Sequence, residues 1–434
     1  MKSTPRRRAG ILAAIALSIG LIGAGCGSSD TSSDSTASST SAAQDVSGTL
    51  TFATASSQEP GWTKVIDAFE KAYPDVKVRP NFVPIVTYNQ VVTTQFQGGQ
   101  GPDVLFTSVG SAYPTAIGVM APQGELLDLS DQPASKQVPE LIDDIGMVDG
   151  KRVALPIGAW SGFFLYNEDK FKELGLQPPD TMQDLLSMCG EIAGKGMTPV
   201  AIGPTDGDLA NFYTLLVASM VQNTDPDWVA QRDAGKVTFA GTKGWQQALQ
   251  AIVDMNNAKC FDSGAAGMSR DAATASFVQG KAAMMPIFQN QLPAILAAKP
   301  AFTWAAFPAP GQAPGQQTMF AEVSPLISVN AKAKNQAAAL AFVNFAMEPA
   351  QTAAFAEAQG IISTGQLAEE QLPDYLEPYA KDLFKGDKAA HLVTSQFKTP
   401  ATYDVLSKGL VGLLTGQVKV DQLLKQMDDS YGQK

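Results

Sequence analysis

A helical pattern between two strand patterns, near residue 50, constrains the fold more than any other feature of this chain. Residues 48–56, GTLTFATAS, alternate apolar and hydroxyl side chains, which predicts a β-strand. Pro74 ends the helical pattern that follows, and VKV at 76–78 begins a second strand. This order indicates a parallel sheet with helices packed against it. The apolar positions at helical spacing are Trp62, Val65, Ile66, Phe69 and Tyr73.

The same alternation continues along the chain and predicts an α/β protein. GPDVLFTS at 101–108 is a short apolar strand, and strand patterns recur in VALPIGAW, GFFLYN and TPVAIG. The 434 residues are enough for two or three domains. Helices are predicted over Tyr88–Phe96, near Met182–Ile192, near Phe212–Met220, and over Gln336–Phe345, Gln351–Ala358, Tyr403–Leu414 and Val420–Gln426.

Polar segments follow three of the predicted strands, at the positions where open α/β sheets bind ligands. SSQE begins at Ser56, SVGS at Ser108 and TDGD at Thr205. Their hydroxyl, amide and carboxylate groups suit hydrogen bonds to a neutral ligand with many hydroxyl groups. Because loops are polar in most proteins, each segment by itself fits an ordinary surface loop equally well.

The first 25 residues predict a secretory signal peptide. A basic start, MKSTPRRRAG, precedes an uncharged apolar run that is shorter than the roughly 20 residues of a membrane span. Gly23 and Gly25 also begin a G-x-G-x-x-G pattern, but Ser28 stands at its third glycine and no helical pattern follows. The pattern therefore does not favour a dinucleotide site.

Cys26 follows small residues at the end of the signal, which resembles a bacterial lipobox. Ala24 and Gly25 fit the pattern, in which the cysteine takes a diacylglycerol, whereas Gly23 stands where an aliphatic residue is usual. The alternative is ordinary cleavage that leaves a free Cys26 thiol. Residues 26–46 are almost all small or polar, which predicts a disordered tether between the membrane and the folded chain.

Charge and residue counts exclude several classes of function. The net charge is −11 and no Lys/Arg block is present, so nucleic acid is not an expected partner. His391 is the only histidine and there is no G-x-S-x-G motif, which argues against a serine-hydrolase site and a multi-histidine metal site. We predict neither a metal nor a cofactor. Cys189 and Cys260 form either a disulfide or two buried thiols.

Several phrases together resemble the extracellular solute-binding proteins of the maltose-binding type, also called family 1. This resemblance implies a two-lobed, type II periplasmic-binding-protein-like fold, with two α/β domains joined by a multi-segment hinge. It assigns 47–159 and 325–362 to lobe 1 and 160–324 and 363–434 to lobe 2, with crossings near Gly158–Phe163, Ala321–Leu326 and Gly360–Gly365. The phrases are FEKAYPDVKV (69–78), GPDVLF (101–106), DGKRVALPIGAWSGFFLYNEDKFKELGLQPPDTMQDLL (149–186), FVQGKAAMM (277–285) and NQAAALAFVNFAMEPAQTAAFAEAQGIISTG (335–365).

The resemblance also implies a function. Such proteins close around a carbohydrate and deliver it to the membrane permease of an ATP-driven (ABC) importer, without covalent chemistry. We therefore expect a monomeric binding protein rather than an enzyme. It would be held at the extracellular face of the bacterial cytoplasmic membrane by a lipid on Cys26. Related proteins often carry a cysteine pair at Cys189 and Cys260, which implies a disulfide there.

Ligand-binding positions carry over from the family unevenly. Family members often have a tryptophan sugar platform shortly after GKAAM, but Asn290 occupies that position here, leaving Phe288 as the nearby aromatic residue. This departure weakens the analogy to maltose in particular. The positions that the resemblance assigns to the ligand are Ser56, Ser57, Gln58, Ser108, Trp160, Asp206, Phe288, Asn290, Glu322 and Tyr403.

Two other functions stay open at this point. The same fold could bind a polyamine, an anion or a metal chelate; the candidate loops hold Asp206, Asp208 and Glu322 but no arginine, which disfavours an anion. A secreted glycoside hydrolase would need two carboxylates about 5–10 Å apart, and Asp206 with Glu322 is the one pair to propose.

Overall fold

The computed structural model describes residues 46–206, 208–368, 371–379, 392–398 and 400–432. The predicted signal peptide, the tether up to residue 45, the lipidation residue Cys26 and His391 lie outside these residues, and the side chains of Asp206 and Asp208 are likewise not described.

The described strands lie in two large sheets and a small hairpin. They are β1 (Gly48–Ala55), β2 (Val76–Val83), β3 (Val104–Thr107), β4 (Met147–Val148), β5 (Lys151–Arg152), β6 (Leu155–Pro156), β7 (Gly158–Asn167), β8 (Thr198–Val200), β9 (Ala282–Phe288), β10 (Trp304–Phe307), β11 (Phe320–Val323), β12 (Leu326–Val329) and β13 (Ile362–Ser363).

The described α-helices alternate with these strands, as predicted. They are α1 (Glu59–Ala72), α2 (Ile85–Gln97), α3 (Ile117–Met120), α4 (Glu168–Leu174), α5 (Met182–Gly194), α6 (Asp208–Val217), α7 (Trp228–Asp233), α8 (Lys243–Asn257), α9 (Arg270–Val278), α10 (Leu292–Ala297), α11 (Gln336–Ala346), α12 (Pro349–Gln359), α13 (Thr364–Ala368), α14 (Pro400–Leu414) and α15 (Val420–Ser430). The prediction missed seven of these helices: α3, α4, α7, α8, α9, α10 and α13. It also ended the helix near Phe212–Met220 inside a π-helical turn at Ala218–Gln222.

The first sheet has the strand order β2-β1-β3-β12-β6, with β1 parallel to β2 and β3. The predicted β-α-β unit is confirmed, since α1 buries Trp62, Val65, Ile66 and Phe69 against this sheet and α12. Asp103, in the GPDVLF phrase, connects β1 to the residues just before α11. Its carboxylate accepts hydrogen bonds from the backbone N–H and hydroxyl of Thr51 (2.8 and 2.7 Å) and from the backbone N–H of Lys334 (2.6 Å), next to α11.

The second sheet is built around β7. Ala159 pairs with both Val323 of β11 and Ile362 of β13, so β11 and β13 lie on opposite edges of β7. β10 continues the edge of β11, β9 continues the edge of β13, and β8 pairs with β9. The sequence suggested separate strands in VALPIGAW and GFFLYN. That was wrong, because β7 runs unbroken for 10 residues through Gly162.

Side chains of β7 alternate between two apolar cores. Phe163 and Leu165 belong to the core that includes the first sheet, whereas Phe164 and Tyr166 belong to a second core with α5, α6, α8 and α14. The chain passes between the sheets at Ile157, between β6 and β7, and at Ser324–Pro325, between β11 and β12. It passes between them a third time between β12 and β13, through α11 and α12. The exact lobe boundaries remain a prediction.

Cys189 and Cys260 are joined by a disulfide bond in the second core, with their Cα atoms 4.9 Å apart. Cys189 lies in α5, and the carbonyl of Cys260 accepts a hydrogen bond from Val200 of β8 (2.8 Å). The bond therefore joins α5 to the segment after α8, which is hydrogen-bonded to the edge strand β8 of the second sheet.

Candidate functional site

Three aromatic rings meet on one face of the second sheet. Gly162 of β7 stands opposite both Phe288 of β9 and Phe320 of β11 in the strand register. The Trp160 ring, two residues along the same face, lies 4.8 Å from Phe288 and 5.6 Å from Phe320, and the two phenyl rings are 5.3 Å apart. We call Trp160, Phe288 and Phe320 the ring cluster.

Gly162 makes this arrangement possible. A Cβ atom at this position would lie 2.4 Å from Cε1 of Phe320 and 2.5 Å from Cδ2 of Leu215, well inside van der Waals contact. The missing side chain lets the Phe320 ring lie across β7 and reach its neighbours. Of the three rings, Trp160 is the one that stays partly exposed, since Phe288 and Phe320 are buried.

Glu322 joins the ring cluster from β11, where it stands directly opposite Trp160. Directly opposed residues on antiparallel strands share one face of the sheet. The Glu322 side chain is only 5 % exposed, and its carboxylate accepts a hydrogen bond from the backbone N–H of Leu392 (3.3 Å). The site thus places a buried acceptor beside a partly exposed indole.

Tyr113 and Tyr403 form the next part of the site, with ring centroids 6.2 Å apart. Tyr113 follows β3 of the first sheet, and Tyr403 lies in the first turn of α14. Burial, followed by the nearby Tyr403 phenol and Glu322 carboxylate, raises the pKa of Tyr113 above its ordinary value. Sequence reasoning missed Tyr113, although it lies two residues after the polar segment that follows β3, where an aromatic side chain could have been recognised.

The remaining predicted residues are more scattered. Ser56, Ser57 and Gln58 form a short 3-10 helix after β1, where the Gln58 side-chain oxygen accepts hydrogen bonds from the Thr54 hydroxyl (2.6 Å) and the Trp62 indole (3.1 Å). Gln58 therefore orders this loop, and its role toward a ligand stays a prediction.

Ser108 and Asn290 differ in their surroundings. Ser108 is half-buried after β3, and its carbonyl accepts a hydrogen bond from the backbone N–H of Ile117 (3.0 Å). Asn290 is exposed, two residues beyond Phe288. The structure therefore brings together Trp160, Phe288, Glu322 and Tyr403, adds Phe320 and Tyr113, and leaves the predicted serines and Gln58 at the ends of strands in the first sheet.

The described residues include no group of three or more His, Cys, Asp or Glu side chains able to hold a metal ion. Within those residues no helix combines the length and the apolar character that a membrane crossing requires.

Known proteins share this architecture. "Multiple sugar-binding protein" of Streptococcus mutans serotype c is 25% identical over 365 residues, covering 81% of this chain and 84% of the relative. The structure of RafE in complex with raffinose has a TM-score of 0.74 at 22% identity, covering 88% of this chain and 98% of RafE. The GacH receptor of Streptomyces glaucescens, solved without ligand and with acarbose, has a TM-score of 0.71 at 21% identity, covering 88% and 97% of the two chains. These similarities confirm the predicted fold class, a two-lobed α/β fold of type II.

The family is settled by a separate match over the sequence. The model described as "Bacterial extracellular solute-binding protein" matches residues 55–353, which run from the end of β1 into α12 and include the ring cluster and Glu322. This chain belongs to the family of bacterial extracellular solute-binding proteins.

Proposed function

We propose that this protein captures a carbohydrate at the ring cluster and delivers it to the permease of an ABC importer. The observation that carries the proposal is the partly exposed Trp160 indole, backed by two phenyl rings and opposite the buried Glu322 carboxylate. An indole offers a flat apolar surface on which a sugar ring can stack. A carboxylate accepts strong hydrogen bonds from hydroxyl groups. The sugar-binding names of the relatives support the same ligand class.

Closure supplies the mechanism. Tyr113 extends from the first sheet toward Tyr403 on the second core, so a ligand at this site would contact elements of both. A ligand that touches both lobes favours the closed state by its difference in affinity for the two states. The permease then recognises the closed form. Binding of this kind needs no bond to be made or broken, and we propose that the protein has no catalytic activity of its own.

Membership of this family also supports a proposal about where the protein works. We propose that the chain works at the extracellular face of the cytoplasmic membrane as a monomer, held there by a diacylglycerol on Cys26 through the tether of residues 26–46. Mass spectrometry of the mature N-terminus tests the anchor. A modified Cys26 as first residue is expected, and an unmodified cysteine or cleavage at another residue would exclude it.

A ligand screen tests the main proposal. We expect a higher melting temperature and a change in tryptophan fluorescence with one or more members of a panel that includes raffinose, stachyose, chitin oligosaccharides, xylo-oligosaccharides and maltose. Spermidine and a ferric chelate serve as non-sugar arms. A shift with these arms alone, or with no compound at all, would contradict carbohydrate binding.

Two variants at one position locate the site. Trp160→Ala removes the stacking surface and should strongly reduce the sugar-induced shift, since an aromatic contact is worth about 0.5–1.5 kcal/mol beyond the area that it buries. Trp160→Phe keeps a smaller ring and should retain weakened binding. Equal affinity of the wild-type protein and Trp160→Ala would place the ligand elsewhere.

A further inference from the structure

A buried serine lies in β7, the strand that also contains Trp160 of the ring cluster. Ser161 stands between Trp160 and Gly162 and is fully buried. Its backbone N–H donates to the side-chain oxygen of Gln289 (3.1 Å), and its hydroxyl donates to the carbonyl of Phe320 (2.9 Å). One residue of β7 is therefore bonded both to the segment after Phe288 and to the strand that carries Phe320.

Gln289 extends this connection. It is fully buried, and its side-chain NH₂ donates to the hydroxyl of Tyr375 (3.0 Å). Its neighbours in sequence are Phe288 of the ring cluster and the exposed Asn290. A buried amide whose oxygen and nitrogen are both bonded is held in one orientation, because losing either partner leaves a costly unpaired group.

Tyr375, which lies in the segment 371–379, forms the last residue of this network. Its ring lies 5.7 Å from Phe163 and 5.6 Å from Trp304. Phe163 points to the opposite face of β7 from Trp160, since side chains alternate along a strand. Burial raises the pKa of Tyr375 to about 12, so its hydroxyl stays protonated through the neutral range. The network therefore lies behind the ring cluster, on the face away from the proposed ligand.

We propose that Gln289, held between Ser161 and Tyr375, is a positioning residue of the ligand site. It fixes β9 against β7 at the row where the ring cluster meets, and so sets the distance between the Phe288 and Trp160 rings. A site of this kind works when its contact groups are held to within about half an ångström by the residues behind them. This inference rests on the proposed carbohydrate function, but its structural part can be measured without any ligand.

The test compares three single variants of the full chain. Gln289→Met removes the amide at similar length, and Tyr375→Phe removes only the hydroxyl at the end of the network. Tyr379→Phe is the matched control. Tyr379 lies in the same segment as Tyr375, but its hydroxyl donates to the carbonyl of Ala306 (3.1 Å), which is outside the network. The signal is the near-ultraviolet circular dichroism of Trp160. For the wild type and for each variant, it is the difference between the spectrum of that protein and the spectrum of the same protein with Trp160→Phe added.

We expect Tyr375→Phe, which loses one hydrogen bond, to reduce this Trp160 signal and to weaken binding of the best panel sugar about fivefold. Gln289→Met loses two hydrogen bonds and should reduce the signal and the affinity at least as much. The double variant should bind no more weakly than Gln289→Met alone, since Tyr375 acts through Gln289. Tyr379→Phe should retain both the signal and the affinity.

Several outcomes would overturn the inference. It fails if both network variants keep the wild-type Trp160 signal, or if Tyr379→Phe lowers that signal as much as they do, since the effect would then be a general loosening of the segment. If no sugar binds the wild type, the proposed function fails, while the circular dichroism still decides whether Gln289 positions the rings. Should Gln289→Met not fold, Tyr375→Phe, which lacks one hydroxyl, carries the test.

Discussion

The ring of Tyr113 meets the ring of Tyr403 at an interplanar angle of 69°, with their centroids 6.2 Å apart. Tyr113 belongs to the turn after β3 of the first sheet, whereas Tyr403 lies in α14 on the second core. Ala112, next to Tyr113, is fully buried in that second core. This turn is therefore a direct link between the two halves of the fold, close to Glu322 and the ring cluster.

Removal of the Tyr113 ring should favour the open state. An aromatic pair contributes about 0.5–1.5 kcal/mol beyond its buried area, so Tyr113→Ala should shift the equilibrium between closed and open forms severalfold. Small-angle X-ray scattering of the ligand-free protein should then give a larger radius of gyration than the wild type, and sugar affinity should fall. Tyr113→Phe keeps the ring and should scatter like the wild type. Identical scattering of Tyr113→Ala and the wild type would show that this contact does not hold the halves together.

Stability at high pH should depend on Tyr375. Its pKa is raised by burial from its ordinary value near 10 to about 12 in the folded protein. A raised folded pKa contributes stability that is complete below pH 10 and is lost as pH rises from 10 toward 12. Urea unfolding at pH 8 and at pH 11 should therefore show a smaller loss for Tyr375→Phe than for the wild type. Burial also raises the pKa of Tyr88 and Tyr213, so some loss should remain in both proteins, and equal losses would contradict this assignment.

Elements with a strong local pattern were predictable from the sequence. β1, α1 and β2 follow from alternation and helical spacing, and the family resemblance selected Trp160, Phe288 and Glu322, which lie on one face of the second sheet. The resemblance could not assign their exposure or contacts, because these depend on how β9 and β11 pair with β7. Their role toward a ligand remains a prediction.

Features that depend on distant packing were not predictable. The sequence suggested separate strands in VALPIGAW and GFFLYN, but β7 is unbroken and its Gly162 leaves room for Phe320, which comes much later in the chain. The Gln289–Tyr375 bond joins residues 86 positions apart, and the Tyr113–Tyr403 contact joins the two halves of the fold. The periodicity of a single helix or strand does not predict contacts between residues so far apart in the sequence. α8 is different, because Trp245, Leu249 and Ile252 have helical spacing that could have been recognised.

The disulfide should contribute substantially to stability. It closes a sequence separation of 71 residues, for which the loss of chain entropy in the unfolded state corresponds to about 4 kcal/mol. The double variant Cys189→Ser/Cys260→Ser should therefore lose about 2–4 kcal/mol in free energy of unfolding, measured by urea denaturation. The wild type in a strong thiol reductant, once unfolded and refolded, should match the variant. An unchanged midpoint in the variant would mean that the bond adds nothing to the stability of the second core.

Gly162 and Gly190 allow one substitution to be compared at two contrasting positions. An alanine methyl group at Gly162 would overlap the Phe320 ring and Leu215, whereas nothing lies within 4 Å of the same atom at Gly190, which is exposed in α5. Overpacking costs about 1–3 kcal/mol, while alanine for glycine inside a helix gains about 0.5–1 kcal/mol.

Gly162→Ala should therefore lower the melting temperature and weaken sugar binding, because Phe320 must move away from Trp160 and Phe288. Gly190→Ala should leave binding unchanged and raise the melting temperature slightly. Thermal unfolding and sugar titration of both variants provide the measurement. A Gly162→Ala protein with wild-type stability and affinity would mean that the space beneath Phe320 does not determine the geometry of the ring cluster.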